Sequence, residues 1–358
     1  MTLDDMVRGH GGWLESGMEK GPVISSRIRL ARNLKDYSFP GWAGEEERLA
    51  IWKQMSAIFT EFHKKFSSWE MGETSELERE ILFERHLISR EMVEKDRGSG
   101  LFVSLDECLA VMINEEDHLR IQSLKAGLDL AGAWKAADKL DDMIEERVTY
   151  AFSPKLGYLT SCPSNVGTGL RASVMLHLPG LVLMNEMQPV INGISKIGLA
   201  VRGMWGEGTE AAGNMFQISN QSTLGRREEE IISHLEQIVL EIINHENNAR
   251  ARLIEQKSIK VEDHIARAYG ILSHARLITS SEALNLLSSI RLGIDLGMLK
   301  DFTRKEVDAL FIVTQPAHLQ KLENKTLTPE ERDVMRAELL RKFIKRTAGK
   351  NKTHIQDQ

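Results

Sequence analysis

Alternating apolar and polar positions dominate the first half of the chain, and a three-to-four spacing dominates the second. In PVISSRIRLARN the alternation predicts a strand with Ile24, Ile28 and Leu30 on one face and Arg27 and Arg29 on the other. The stretch 101–184 holds the β-like runs LFVSL, CLAVMIN, HLRIQSL, YLTSC, ASVMLHL and LVLM, divided by turn residues at 115–117, at Ser153 and Pro154, and in SCPSNVGTGLRASV. Such short connections predict a largely antiparallel sheet. Ahead of these runs, Leu49, Trp52, Met55, Phe59, Phe62 and Phe66 recur at helical spacing and predict an amphipathic helix over 45–66.

After Gly225 the pattern turns helical. A long helix is predicted over 226–256, with Ile231, Leu235, Ile238, Ile242 and His245 in one stripe. Thr279/Glu282, Thr303/Glu306 and Thr328/Glu331 are capping-box signatures, and Pro329 suits the first helical position. The expected organisation is an N-terminal segment 1–22, an α+β body 23–255, a helical domain 262–347 and a polar tail 348–358 that frays.

The 358 residues are 42% hydrophobic and 27% charged, enough apolar material for a sizeable core. A net charge of −6 provides no basic field for nucleic acid or anionic membrane, and neither is an expected partner. Two cysteines, Cys108 and Cys162, make no disulfide framework and fit a reducing compartment. The N-terminus lacks the apolar run of a signal peptide, and no window reaches the roughly 20 apolar residues of a membrane span. The expected location is cytoplasmic.

Four stretches carry candidate chemistry. Arg27 and Arg29 share a strand face, either solvated or gathered around an anion. INEEDHLR packs Glu115, Glu116 and Asp117 into one turn, a candidate general base or an acidic hairpin tip; adjacent residues point apart, which disfavours a metal site. GTGLRAS lacks the Gly-Lys-Ser/Thr ending of a Walker loop. Cys162 as a nucleophile would need a histidine base, and His86, His118 and His177 show no local signature for one, so an inert thiol is the commonest reading. Gly167 and Gly169 permit close backbone approach and Arg171 adds charge. VRGMWGEGTEAAG, with four glycines, Arg202, Glu207 and Glu210, has the composition of a mobile lid or of a flexible surface loop.

Read in order, SSRIRLARN, ERHLISREM, NEEDHLR, CPSNVGTGLRASV and RGMWGEGTE resemble the catalytic domain of the phosphagen (guanidino) kinases, and more closely its bacterial branch, over about 23–252. The resemblance implies an α+β fold: an antiparallel sheet flanked by helices, related to glutamine synthetase, plus an all-helical C-terminal domain. It implies ATP, with Mg²⁺ held mainly through the nucleotide phosphates and no metal site on the protein. By the same resemblance Arg27, Arg29, Arg120, Arg171 and Arg202 hold the phosphates. Ser25, Ser26, Arg27, Ile28 and Arg29, then Arg171, Ala172, Ser173, Val174 and Met175, then Arg202, Gly203, Met204, Trp205, Gly206 and Glu207 line the nucleotide, with His86 at a nucleotide-contacting position. Glu116 and Glu207 match the catalytic carboxylates and Cys162 the substrate-contacting thiolate.

Two departures from the family pattern bear on the substrate. Small-molecule members carry a helical N-terminal domain of about a hundred residues that closes over the acceptor, whereas here some 20 residues precede SSRIR. A site without that cover suits an arginine presented on a protein. Met175 stands where many members have a histidine, so only main-chain contact carries over there. The C-terminal RDVMRA matches a motif of the bacterial branch, which implies a phosphoarginine pocket of Arg332, Asp333, Arg336 and Ala337, allosteric activation by product, and dimerisation. The implied activity is transfer of the γ-phosphoryl of ATP to protein arginines, tagging proteins for a Clp protease unfoldase and acting on the heat-shock repressor CtsR with the activator McsA. The alternatives are a kinase of free arginine or another guanidino acid, and an inactive adaptor that reads phosphoarginine.

Overall fold

The computed structural model describes residues 2–9, 11–14, 21–62, 65–204 and 212–354, with side chains as far as 346. Ten strands occur among them: β1 (Val23–Arg32), β2 (Phe66–Glu70), β3 (Gly100–Ser104), β4 (Leu109–Ile113), β5 (Leu119–Ala126), β6 (Phe152–Ser153), β7 (Gly157–Tyr158), β8 (Leu170–His177), β9 (Leu199–Gly203) and β10 (Met215–Asn220). Eight of them form one sheet in the order β2-β3-β4-β5-β1-β8-β10-β9, and every neighbouring pair is antiparallel. β6 and β7 form a separate small hairpin.

Alternation sorts the two faces of the sheet. Ile28, Leu30, Ile121, Ala172, Val174 and Ile218 are fully buried beneath the helices Glu45–Glu61, Leu130–Glu145 and the first half of Glu228–His274. Each large aliphatic buried in this layer contributes roughly 1.5–3 kcal/mol, which pins the register of every strand. The opposite face of the same strands carries Arg27, Arg29, Arg120, Arg171, Arg202 and Gln217.

The C-terminal helices Ser280–Asp295, Arg304–Val313, Pro316–Glu323 and Pro329–His354 pack with the second half of Glu228–His274. Their apolar cluster, including Leu272, Leu287, Phe311 and Leu340, runs without a break into Trp13, Leu124, Met204 and Met215. The bundle therefore covers one end of the polar sheet face. Polar clamps fix it there. Glu84 accepts the N–H groups of Ala317 and His318 at 2.8 and 3.0 Å, and Arg291 donates to His177 Nδ1 at 3.1 Å.

Several expectations from the pattern are corrected. Ile24 does not share the face of Ile28, because a bulge between Val23 and Ser25 turns it toward the bundle cluster. The helix begun at Glu45 ends at Glu61, and Phe66 opens β2. YLTSC is not a strand beyond Tyr158. LVLM lies mostly in the short helix Pro179–Leu183, where buried Glu246 accepts the N–H groups of Gly180 and Leu181, both at 2.9 Å. His245 is exposed, and Glu246 and Ala249 take the buried stripe instead. The long helix continues to His274 through a kink at Lys257 (φ −140°, ψ 27°). The last helix extends to His354, into the tail that was expected to fray.

Candidate active site

The register of the central strands gathers the arginines. Arg29 on β1 lies directly opposite Arg171 on β8, and Arg27 lies opposite Ser173. Arg120 enters from β5, and Arg202 pairs in register with Gln217. Arg27 donates to Ser173 Oγ at 3.3 Å and to Gln217 Oε1 at 2.6 Å. The buried Nε of Arg29 has no hydrogen-bond partner among the described residues. Burial, followed by the fields of Arg171, Arg120 and Arg202, lowers the Arg27 pKa to about 10. Burial and its arginine neighbours hold Arg29 well below its ordinary value as well. Cations directly opposed on a sheet repel, and a polyanion between them converts that repulsion into attraction.

The four residues after Asn114 take four different tasks. Glu115 is buried and positions the cleft: Ser89 Oγ donates to it, and Arg120 Nη1 bonds it at 2.5 Å. Glu116 stands at the rim, its side chain 41% exposed, with Arg120 Nη2 at 3.0 Å. Partial removal from water raises its pKa, Arg120 opposes that rise, and Asp117 and Glu115 add to it. Asp117 is fully buried, and its Oδ1 accepts from Asn33 Nδ2 at 2.6 Å and from the Ser161 N–H at 2.7 Å, which ties this turn to the Cys162 loop. His118 accepts the Leu34 N–H at Nδ1 and so donates from Nε2 to the Ser38 carbonyl, an architectural role for a neutral ring.

Cys162 leads into the short 3₁₀ turn Pro163–Asn165, with its Sγ 3.0 Å from Ser164 Oγ. Gly169 has φ +66°, and a Cβ there would sit 2.5 Å from the Ala31 carbonyl, so this glycine serves strand-to-strand approach. A cleft of ≈ 710 Å³ joins these parts: Arg27, Arg29, Arg120, Arg171 and Arg202, with His86, Glu116 and Cys162.

Ser25, Ser173 and Met175 lie beside it in an adjoining cavity that shares Arg27, His86 and Met204. Burial, with Arg27 adding to it, depresses the His86 pKa to about 3, so the ring is neutral. Ser26, Ile28, Ala172 and Val174 alternate onto the helix-covered face and do not line the cleft; Ser26 Oγ donates to the Gly127 carbonyl at 2.8 Å. Gly203 is buried at the end of β9. Trp205, Gly206 and Glu207, and with them the second expected carboxylate and most of the expected lid, lie outside the described residues.

RDVMRA is divided between two environments. Arg336 is 1% exposed; it donates to the carbonyls of Thr314 and Ile278 at 2.8 and 2.9 Å and to Asp333 at 2.5 Å. Ala337 is fully buried. Arg332 instead lines a second cleft of ≈ 830 Å³ between the bundle and the helix Glu76–Glu84, together with Glu80, Glu84 and Arg90.

Sequence reasoning missed Glu115 as the holder of Arg120, Gln217 and Ser173 as partners of Arg27, and the contribution of Trp13 and Asp308 to the adjoining cavity. Strand alternation could have exposed Gln217, which matches the parity of Met215 in β10. Nothing local marks Trp13 or Asp308.

An antiparallel sheet with one face under helices and an arginine-lined cleft on the other is the architecture of the guanidino kinases. The crystal structure of lombricine kinase is similar with a TM-score of 0.59 and 25% identity, over 68% of this chain and 70% of that one. The duplicated taurocyamine kinase of Schistosoma mansoni, with bound transition-state-analogue components, shares the fold at a TM-score of 0.57 and 23% identity, over 77% of this chain and 41% of that one. Residues 50–249 match the ATP:guanido phosphotransferase C-terminal catalytic domain, and residues 258–355 match the protein-arginine kinase McsB C-terminal domain. The protein-arginine kinase of Halothermothrix orenii is 47% identical over 344 residues, 95% of this chain and 99% of that one. That of Bacillus cereus strain AH187 is 48% identical over 355 residues, 96% and 99% of the two chains. The chain belongs to the protein-arginine kinase family, phosphotransferases with a nitrogenous acceptor.

Proposed function

We propose that the chain moves the γ-phosphoryl group of ATP onto arginine side chains of proteins. The observation that carries this reading is the opposed Arg29–Arg171 pair in a cleft that also holds Glu116 and Cys162. Phosphoryl transfer asks chiefly for alignment and charge neutralisation. Arg27, Arg29, Arg120, Arg171 and Arg202 bind the triphosphate, and Mg²⁺ carried in with the nucleotide would add to the neutralisation of its charge. The acceptor guanidinium is a poor nucleophile while protonated. Glu116 and Glu207 each grip one of its nitrogens, and Cys162 adds a third negative contact. The bond from the γ-phosphorus to the ADP oxygen breaks as the N–P bond forms, and one of the two carboxylates accepts the displaced proton.

Residues 23–255 form the catalytic unit in this reading, and 262–347 a regulatory, dimer-forming unit. Arg332, with Asp333 beside it, faces a cleft where phosphoarginine binds as an allosteric activator. Arg336 and Ala337 shape that site from below. The enzyme acts in the cytoplasm, marks proteins for a Clp unfoldase, modifies the repressor CtsR and responds to McsA. The supports for these biological assignments are the RDVMRA motif and the similarity to protein-arginine kinases.

One assay tests the activity. Labelled ATP is offered with an unfolded protein and with free arginine, and an acid-labile, base-stable phosphoprotein is the expected product. Label on free arginine alone identifies a small-molecule kinase. No label, with phosphoarginine still bound, identifies an adaptor.

A further inference from the structure

The second cleft and the arginine cleft share a wall. Phe83, near the end of the helix Glu76–Glu84, and Arg90, which opens the short helix Arg90–Val93, line both. The Arg90 guanidinium lies over the Phe83 ring at 4.0 Å, and its Nη1 donates to Glu80 Oε1 at 2.6 Å. Glu80 lines the second cleft, as Arg332 does. The Arg90 side chain is 52% exposed, and an ion pair so open to water is weakly held.

The residue before Arg90 reaches the other way. Ser89 Oγ caps the helix by accepting the Met92 N–H at 3.1 Å, and it donates to Glu115 Oε1. The same oxygen accepts from Arg120 Nη1 at 2.5 Å, and Arg120 Nη2 donates to Glu116 Oε2 at 3.0 Å. A pull on Arg90 is not taken up by slack in the chain. Leu87 and Ile88 before it, and Met92 and Val93 after it, are buried in one apolar cluster. From Arg90 to Glu116 the contacts thus run without a gap from one cleft to the other.

We propose that Arg90 couples the two clefts: with Arg332 it holds the phosphate of phosphoarginine, and that hold steadies Ser89, Glu115 and Arg120 in the catalytic cleft. This rests on the phosphoarginine reading of the second cleft and adds what it lacks, a route from that cleft to the reacting groups. Arg332 comes from the last helix of the bundle and Arg90 from the sheet body, so the ligand bridges the two units. A planar guanidinium grips a phosphate bidentately, and a doubly charged anion outcompetes the single carboxylate of Glu80. An exposed side chain so fixed loses freedom, and the cap, Glu115 and Arg120 lose it too. The triphosphate and the acceptor then meet a site already ordered. Arg90 is in this sense a positioning residue for Arg120 and Glu116.

Calorimetric titration of the full chain with free phosphoarginine, beside protein phosphorylation measured with and without it, tests this. Arg90→Gln keeps a long polar side chain and loses the charge: the Kd for phosphoarginine rises about tenfold and the activation ratio falls toward unity. Arg332→Ala raises the Kd as well, and the double variant loses less than the product of the two factors, because both arginines grip one phosphate. Ser89→Ala binds phosphoarginine as the parent does, yet its activation ratio falls by roughly half or more. The parent's Kd or ratio in Arg90→Gln, or the parent's ratio in Ser89→Ala, overturns the proposal. Should thermal unfolding show either variant to be misfolded, hydrogen exchange in the unmutated chain decides. Phosphoarginine must slow exchange of the Met92 and Val93 amides, both bonded to Ser89, and unchanged exchange overturns the proposal. If the parent neither binds phosphoarginine nor is activated by it, the phosphoarginine reading itself fails. If the parent is activated and Arg332→Ala abolishes this, while Arg90→Gln and Ser89→Ala behave as the parent, only the coupling fails.

Discussion

Arg29 and Arg171 face each other directly across the β1–β8 ladder, and the Arg29 Nε is buried without a hydrogen-bond partner among the described residues. Like charges in such positions destabilise a sheet by roughly 0.2–1 kcal/mol, so this face is built for an anion at a cost to stability. Arg29→Ala is expected to leave the thermal midpoint unchanged or raised, while kcat/KM falls by about 10²–10³-fold. Calorimetric melting beside steady-state kinetics checks both; a lowered midpoint with normal kinetics would make Arg29 structural.

Glu116 holds an exposed rim position with a raised pKa. As a base or orienting anion it acts deprotonated, so activity is lost as pH falls through that raised value. The acid limb of the rate profile therefore lies above the usual glutamate range. Glu116→Gln is expected to lower kcat by about 10²–10⁴-fold without unfolding the chain. Full activity in that variant would remove its role.

Asp117 ties the Glu116 turn to the loop of Cys162 through the Ser161 N–H. Asp117→Ala leaves Asn33 and that N–H short of a buried acceptor, costing about 1–3 kcal/mol. Chemical denaturation should show the loss, and KM for the protein acceptor should rise as the loop loosens. An unaltered denaturation midpoint would contradict the tie.

Arg332 and Arg336 belong to one motif, yet their truncations should differ. Arg336→Ala strands the Thr314 and Ile278 carbonyls in the interior, at about 1–3 kcal/mol for each buried group, removes the partner of half-buried Asp333, and should lower the melting temperature sharply. Arg332→Ala should melt like the parent and lose only activation by added phosphoarginine. Equal melting of the two variants would refute the division.

Burial holds His86, His118 and His177 below the ordinary histidine value of 6.5, His86 at about 3. Their folded values are depressed, so the unfolded chain binds more protons below pH 6.5. The stability they contribute is present above that pH and is lost as pH falls toward the folded values, at about 1.4 kcal/mol per pH unit for each ring. His177 is held between Ser288 and Arg291 at the bundle interface, so His177→Gln should flatten the acid slope of the melting curve. A slope identical to the parent's would exclude this histidine.

The sequence by itself determined the strands that carry Arg27, Arg29 and Arg120, because a period of two with one apolar face admits little else, but it left Arg171 in the preceding turn, where the strand in fact begins at Leu170. It also determined the capping of the C-terminal helices, and its motif resemblance nominated the arginines, Glu116 and Cys162 that the fold gathers around one cleft. It could not show that Arg29 opposes Arg171, since cross-strand register depends on how whole strands bury their apolar faces. Nor could it tell the neighbours Glu115, Glu116 and Asp117 apart. Their tasks follow from which partners the fold brings near: Ser89 and Arg120, the cleft, and the Ser161 backbone. The bulge at Ile24 and the adjoining cavity lined by Trp13 and Asp308 belong wholly to tertiary structure. They join residues hundreds of positions apart, and only packing of the bundle against the sheet sets that distance.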